Sequence, residues 1–400
     1  MAAETEEILA RTEIRRGTAV RPRAVSSPTA PPSSVMLLDL NWKQTGYLVA
    51  ALSNCGIATT LITTVRPDGI ALSHYCTQIE SPHPRSAEYV PFLRRQIASV
   101  HPDLVMPLAE PLMEVVWDLD PACEVAVHPA MTADQRSVLG DRRRFYERAV
   151  SLGIDVPPWM PVASPADLEV AARRFGYPLV LRGTRGLAGS QVRVVSSPPG
   201  AVAALGELQG NSPGQPFAQA FIKGHRHLVG GFFAHGEAIR LFAQETIEQY
   251  PAVIGPSTRV RPCADEALIR SARTLLADLE WFGMACVEFI RDERGRFVLM
   301  EVNPRPWAAL EAAERSGADI CRAFAETLAG RPVAPSLGYR LGGPQVVLEG
   351  FLLARHLGRG IGPTLRTLSL RDWLDCLRAV PWRKPWLALH MLRRLYRELV

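Results

Sequence analysis

Lysine is nearly missing from this 400-residue chain: Lys43, Lys223 and Lys384 stand beside 42 arginines. Arginine, alanine and the 33 prolines all have GC-rich codons, so the bias reads as the mark of a GC-rich bacterial genome. Paired cysteines are missing too. Cys55, Cys76, Cys123, Cys263, Cys286, Cys321 and Cys376 are odd in number and never form CxxC. That excludes a disulfide framework or a zinc site and points to a reducing, cytoplasmic setting. No run approaches 18 apolar residues, so no membrane-spanning helix is expected. The opening stretch, MAAETEEILARTEIRRG, is charged throughout and has no secretory h-region. No GxGxxG follows the first strand, and no Ser-His-Asp or Cys-His arrangement stands out, which argues against a standard dinucleotide fold and against a protein nucleophile.

What is present is an ordinary globular balance, 47% hydrophobic and 21% charged, with room for about three domains. The net charge of +5 is uneven: Arg340–Val400 holds 11 cations against 4 anions. Basic charge confined to the tail, with no stacking motif, excludes a nucleic-acid binder.

Residues 1–34 end in RAVSSPTAPPSS and read as a disordered leader. VMLLDL (35–40), TTLITT (59–64) and PDLVMPLA (102–109) are short apolar strands alternating with helices, so 35–130 is expected to be a parallel α/β layer. A long helix over 132–152 and another over 165–175 follow. Then come the strand–glycine loop–strand run PLVLRGTRGLAGSQVRVV, the strand FAQAFIKG (217–224), a hairpin around His235-Gly236, and a helix over 265–280. This second block is α+β with antiparallel strands.

ACVEFIRDERGRFVLMEVNPRPW (285–307) reads as two strands around a polar turn. Glu301 and Asn303, two apart on one strand, face the same side. With a two-residue turn Glu288 sits opposite Glu301; with a four-residue turn it sits one step diagonal to it. On either count Glu288, Glu301 and Asn303 share a face. Two carboxylates and an amide oxygen among Val287, Phe289, Val298 and Leu299 suit a hard cation such as Mg²⁺ held together with phosphates. The alternative is an edge hairpin with a solvated acidic face.

EVNPRPWAALEAAERSGAD resembles the Glu-x-Asn-Pro-Arg signature of the ATP-grasp superfamily, in the form shared by carbamoyl-phosphate-synthase-like carboxylate–amine ligases. Three further stretches are similar in the same order. LGDRRRFYERAVSLGIDVPP (139–158) resembles an Asp-Lys pair followed by a helix. FGYPLVLRGTRGLAGSQVRVV (175–195) resembles the Gly-Tyr-Pro strand with its glycine-rich flap. FAQAFIKG resembles the strand that lines the adenine. The resemblance covers roughly 35–335. It implies an ATP-grasp fold, both α/β and α+β, with a Rossmann-like pre-ATP-grasp domain over 35–130. The ATP-grasp domain would span 131–340, its flap subdomain about 155–222, and 341–400 would be a basic helical extension.

The resemblance also implies roles. Glu288, Glu301 and Asn303 would be metal ligands for one or two Mg²⁺ (or Mn²⁺) ions. Arg305 would approach the transferring phosphate as the catalytic residue. Arg142 and Arg182 would contact the ATP phosphates, with Gly183, Gly186, Gly189 and Ser190 closing over them. Gln219, Phe221 and Ile222 would contact adenine. The family's lysines are arginines at 142 and 182, Ala220 stands where a glutamate is common, and no ribose-binding acid follows. His227, or its neighbour His225, is the substitute there, against the plainer reading of a solvated loop histidine. The implied reaction is ATP- and Mg²⁺-dependent activation of a carboxylate as an acyl phosphate, captured by an amine (in second place, a thiol), with release of ADP and phosphate. An ATP-binding scaffold of the same fold without turnover is the alternative.

The run after Asn303 lacks the pattern expected of biotin carboxylases and of D-alanine–D-alanine ligases. In QYPAVIGPSTRVRP (249–262), Arg259 and Arg261 are candidates for clamping a substrate carboxylate or phosphate, or simply belong to a solvated turn. In the tail, Trp373, Trp382 and Trp386 mix with arginines, and Leu387, Leu389, Met391, Leu392, Leu395 and Leu399 fall on one helix side. That side would either contact the inner face of a membrane peripherally or dock on the body or on a second subunit in a homodimer.

Overall fold

The computed structural model describes residues 30–40, 45–64, 72–117, 119, 125–184, 191–211, 214–251, 255–356 and 368–399. Most of the leader, and Gly186, Gly189 and Ser190 of the flap, lie outside these residues.

The chain opens with alternating strands and helices: β1 (Ser34–Asp39), α1 (Thr45–Asn54), β2 (Ala58–Thr63), β3 (Thr77–Glu80), α2 (Tyr89–Val100), β4 (Leu104–Pro107), α3 (Glu110–Trp117) and β5 (Ala126–Val127). They form a parallel sheet in the order β3-β2-β1-β4-β5. The unbroken apolar run of β1 has a direct cause, since both faces of this strand are covered. Val35 and Leu37 enter one core, with Leu48, Phe232 and Phe324, while Met36 and Leu38 enter another, with Tyr89, Leu93 and Leu112.

Next come α4 (Ala133–Leu139) and α5 (Arg142–Ser151). The expected single helix over 132–152 is two. Gly140 ends α4, and the Asp141 carboxylate caps α5 by accepting from the backbone N–H groups of Arg143 and Arg144. The elements β6 (Trp159–Pro161), α6 (Pro165–Phe175), β7 (Leu179–Arg182), β8 (Val192–Val195), α7 (Pro198–Asn211) and β9 (Phe217–Ala220) complete an antiparallel sheet, β6-β9-β7-β8. The helix read from sequence over 165–175 is α6, started by a Ser164–Asp167 capping box.

A larger sheet, β14-β13-β10-β11-β12-β15, is built from β10 (Gly224–Ala234), β11 (Glu237–Gln249), β12 (Ser257–Cys263), β13 (Gly283–Asp292), β14 (Phe297–Asn303) and β15 (Gln345–Val346). The hairpin expected at His235-Gly236 is present, both residues having positive φ and Ala234 pairing with Glu237. The helices are α8 (Glu266–Asp278), α9 (Leu310–Arg315), α10 (Ile320–Leu328), α11 (Leu348–His356), α12 (Leu370–Ala379) and α13 (Pro385–Leu399). Among the described residues, no helix is long and apolar enough to cross a membrane.

Two compact units result. Among the described residues, one holds Met131–His225 and Glu288–Glu301; the other holds those up to and including Ala130, Arg226–Val287 and Val302–Val400. The 35–130 layer therefore groups with β10–β12 and the C-terminal helices, and Leu37 and Leu48 share a core with Phe232, Phe242 and Phe324. The tail helix α13 also belongs to that packing. Leu387, Ala388 and Leu395 are buried, Leu387 and His390 lie against Gly46 of α1, and Trp386 stacks on His74 at 5.0 Å. The apolar side expected to touch a membrane is thus largely occupied by the protein itself.

Candidate active site

In the first unit the site is organised by the N-terminus of α5. Because Asp141 caps the helix, Arg142 is its first residue, and its backbone N–H donates to the Thr184 carbonyl at 2.9 Å. The Arg142 side chain is thereby aimed at β14. Its Nη1 donates to the Met300 carbonyl at 3.1 Å and its Nη2 to Glu301 Oε2 at 3.0 Å. Arg182, the last residue of β7, places Nη2 3.6 Å from the same Glu301 oxygen. One carboxylate therefore faces two guanidinium groups, leaving a surplus of positive charge. Burial is the main force lowering the Arg182 pKa below the usual arginine range, with Arg142 repulsion adding to it, while Glu301 and Tyr146 oppose the shift. A buried cation beside a like charge is what a polyanion such as a polyphosphate would relieve.

Tyr146 links these groups. One turn along α5 from Arg142, its buried hydroxyl lies 3.2 Å from Gln219 Oε1 and 3.3 Å from the Met300 carbonyl, and accepts from Arg182 Nη1 at 3.4 Å. Gln219 itself is fully buried on the central strand β9, opposite Val180. Tyr146 was missed from sequence, although its i+4 spacing from Arg142 was the available signal. Phe221 and Ile222, just past β9, are half-buried, and Gly183 is buried at the end of β7.

The hairpin tip differs from expectation. Gly295 N–H donates to the Asp292 carbonyl and Asp292 N–H to the Arg296 carbonyl, both at 2.9 Å, with Gly295 at φ +80°. The turn therefore passes through three residues, Glu293–Gly295, with glycine in the left-handed position of a bulged turn. The Leu299 N–H donates to Asp155 and the Met300 carbonyl accepts from Arg142 and Tyr146, so the ladder is not regular between the tip and Glu301 and the tip alone does not set the side of Glu288. The shared face of Glu288 rested on an even turn and does not follow from this one. Glu301 and Asn303 share a face whatever the turn.

In the second unit, Arg305 is buried. Its Nη2 donates to Asn303 Oδ1 at 3.0 Å, its Nη1 to the Pro306 carbonyl at 3.0 Å, and its Nε lies 2.8 Å from Glu110 Oε1. Glu110, nearly two hundred residues earlier, had no sequence signal. Trp307 lies across Gly230, where any Cβ would come within 2.4 Å of the ring, so that position in β10 requires glycine. His227 is buried in β10, and His225 is exposed.

The two arginines proposed as a substrate clamp are committed elsewhere. Arg259 is bound by Asp372 (2.6 Å), Asp375 (2.8 Å) and Glu248 (3.1 Å), and Arg261 pairs with Glu245 at 3.0 Å. Acids contributed by α12, over a hundred residues away, explain why the sequence did not reveal this.

Among the described residues no three His, Cys, Asp or Glu side chains cluster to hold a metal. The hairpin offers one or two carboxylates and an amide oxygen, which fits Mg²⁺ when phosphate oxygens complete the shell.

The fold is the ATP-grasp fold seen in biotin carboxylases. More narrowly, residues 141–331 match the family model of the carbamoyl-phosphate synthase L chain, ATP binding domain. It is 25% identical over 308 residues to the carbamoyl phosphate synthase large chain of Thermomicrobium roseum, covering 73% of this chain and 28% of that protein. The chain thus spans little more than a quarter of that relative. In fold it is similar to the biotin carboxylase domain of Hydrogenobacter thermophilus 2-oxoglutarate carboxylase, solved with MgADP and bicarbonate, at a TM-score of 0.63 and 15% identity over 78% of this chain and 73% of that one. It is similar also to the L-amino acid ligase of Bacillus licheniformis, at a TM-score of 0.59 and 16% identity over 80% and 79% of the two chains.

Proposed function

We propose that the chain is an ATP-dependent ligase that joins a carboxylic acid to an amine. The observation that carries this reading is the pair of guanidiniums, Arg142 and Arg182, closing on the single carboxylate Glu301. That arrangement neutralises a carboxylate and still offers charge to a polyphosphate. Arg142 and Arg182 would hold the phosphates of ATP, assisted by the backbone of Gly183 and the flap. Gln219, its orientation set by Tyr146, would read the adenine edge beside the backbone of Phe221 and Ile222, with His227 near the ribose.

Glu301 and Asn303 would hold Mg²⁺; Glu288 joins them on the strength of the family resemblance alone. When bound, the ion supplies charge neutralisation at the phosphate oxygens. The donor carboxylate oxygen bonds to the γ-phosphorus as the β–γ bridging bond breaks and ADP leaves. Arg305, fixed by Glu110 and Asn303, would steady the acyl phosphate. The amine nitrogen then bonds to the acyl carbon, its proton is lost, and phosphate departs.

The test is ADP release over a pool of carboxylic acids and amines, with products read by mass spectrometry. Glu301→Gln is expected to abolish Mg²⁺-dependent turnover with the thermal unfolding transition retained. Undiminished turnover in that variant, or ATP binding without turnover across the pool, would defeat the proposal.

A further inference from the structure

Helix α12 is docked the wrong way round for an amphipathic helix. Its two carboxylates point inward, Asp372 and Asp375 binding Arg259, whose side chain is only 7% exposed and lies 4.7 Å from the Phe351 ring centre. Cys376 and Ala379 are buried beside them. At 100° per residue these four occupy one half of the helix. The opposite half carries Leu370, Trp373, Leu374 and Leu377, which are 78%, 39%, 44% and 50% exposed, and Trp382 extends the patch at 58%. Arg371, Arg378 and Arg383 stand exposed around it. Of these, Arg378 lies 3.5 Å from Asp375 while remaining three-quarters exposed.

A buried arginine therefore consumes the helix's anions and leaves an outward surface of leucine and tryptophan rimmed by cations. Soluble proteins rarely leave so many large apolar side chains together in water.

We propose that this face of α12, with Trp382, docks on an anionic lipid surface. Leucines would enter the acyl boundary, the tryptophan rings would sit at headgroup level, and the arginines would meet lipid phosphates. Charge favours this occupant over a second copy of the chain, because a two-fold contact through the patch would bring its arginine rim close to an identical one. The surface is separate from the ligase residues, so this proposal stands or falls independently of the reaction.

The experiment is flotation of the full chain with phosphatidylcholine vesicles, with and without phosphatidylglycerol. Binding is expected only to the anionic vesicles, and it should weaken as salt is raised. Replacing Arg371, Arg378 and Arg383 singly by Gln should each cost about fivefold in affinity. The triple variant Trp373→Ser, Leu374→Ser, Leu377→Ser should lose flotation; these side chains are exposed, and an unchanged thermal transition would verify folding. No flotation at low salt would overturn the proposal, as would equal flotation by the triple variant. So would a dimer, seen by light scattering, that the triple variant breaks while vesicles bind neither form.

Discussion

Tyr146 carries no charge, yet Gln219, Arg182 and the backbone of β14 all meet at its hydroxyl. Tyr146→Phe leaves a buried Gln219 oxygen without its donor, so it should lower stability by about 1–2 kcal/mol in urea unfolding. The KM for ATP should rise more than kcat falls, because the loss is one of orientation. His128 gives a second prediction. It is fully buried against Phe282 and Phe324, and desolvation lowers its pKa to about 4 from an ordinary value of 6.5. Between those values the unfolded chain binds a proton that the folded chain does not. Stability should therefore fall as pH drops from about 6.5 to 4, by about 3 kcal/mol in all. His128→Leu should remove this part of the pH slope in denaturant titrations.

Elements were legible in the sequence where a local rule governed them. The capped helix α6, the positive-φ turn at His235-Gly236 and the doubly buried β1 each follow from a short run of residues. The motif order singled out Arg142 and Glu301 separately, as phosphate and metal contacts; their pairing is seen only in the structure. What was not legible depended on details no local rule supplies. The three-residue turn at 293–295 was not among the loop lengths weighed, and strand parity reverses with each residue inserted. Arg259 depended on acids of α12 that no spacing rule connects to β12. Arg259→Ala would take the buried cation from Asp372 and Asp375, leaving only the exposed Arg378 beside Asp375, and α12 should loosen at a cost of about 3 kcal/mol. Hydrogen exchange should show that loss in 370–379, with the KM for ATP unchanged.

At the scale of the whole molecule, neither unit is a continuous stretch of chain: 131–225 needs 288–301 to be complete. Leu299 N–H donates to the Asp155 carbonyl at 2.7 Å, tying the returning hairpin to the segment before β6. A fragment of 131–225 alone should therefore lack a cooperative unfolding transition, whereas the full chain should have one; calorimetry distinguishes them. Domain boundaries read from composition assumed contiguous segments, which is why the grouping of 35–130 with the C-terminal helices was not seen. The arginines at 142 and 182 have a chemical consequence of their own. A free amine attacks an activated acyl group, so in the proposed reaction a lysine holding phosphate beside it would be a target for self-modification. A guanidinium keeps its proton and has no lone pair to offer, so under the proposed reaction Arg142 and Arg182 would resist acylation by the intermediate they help to hold.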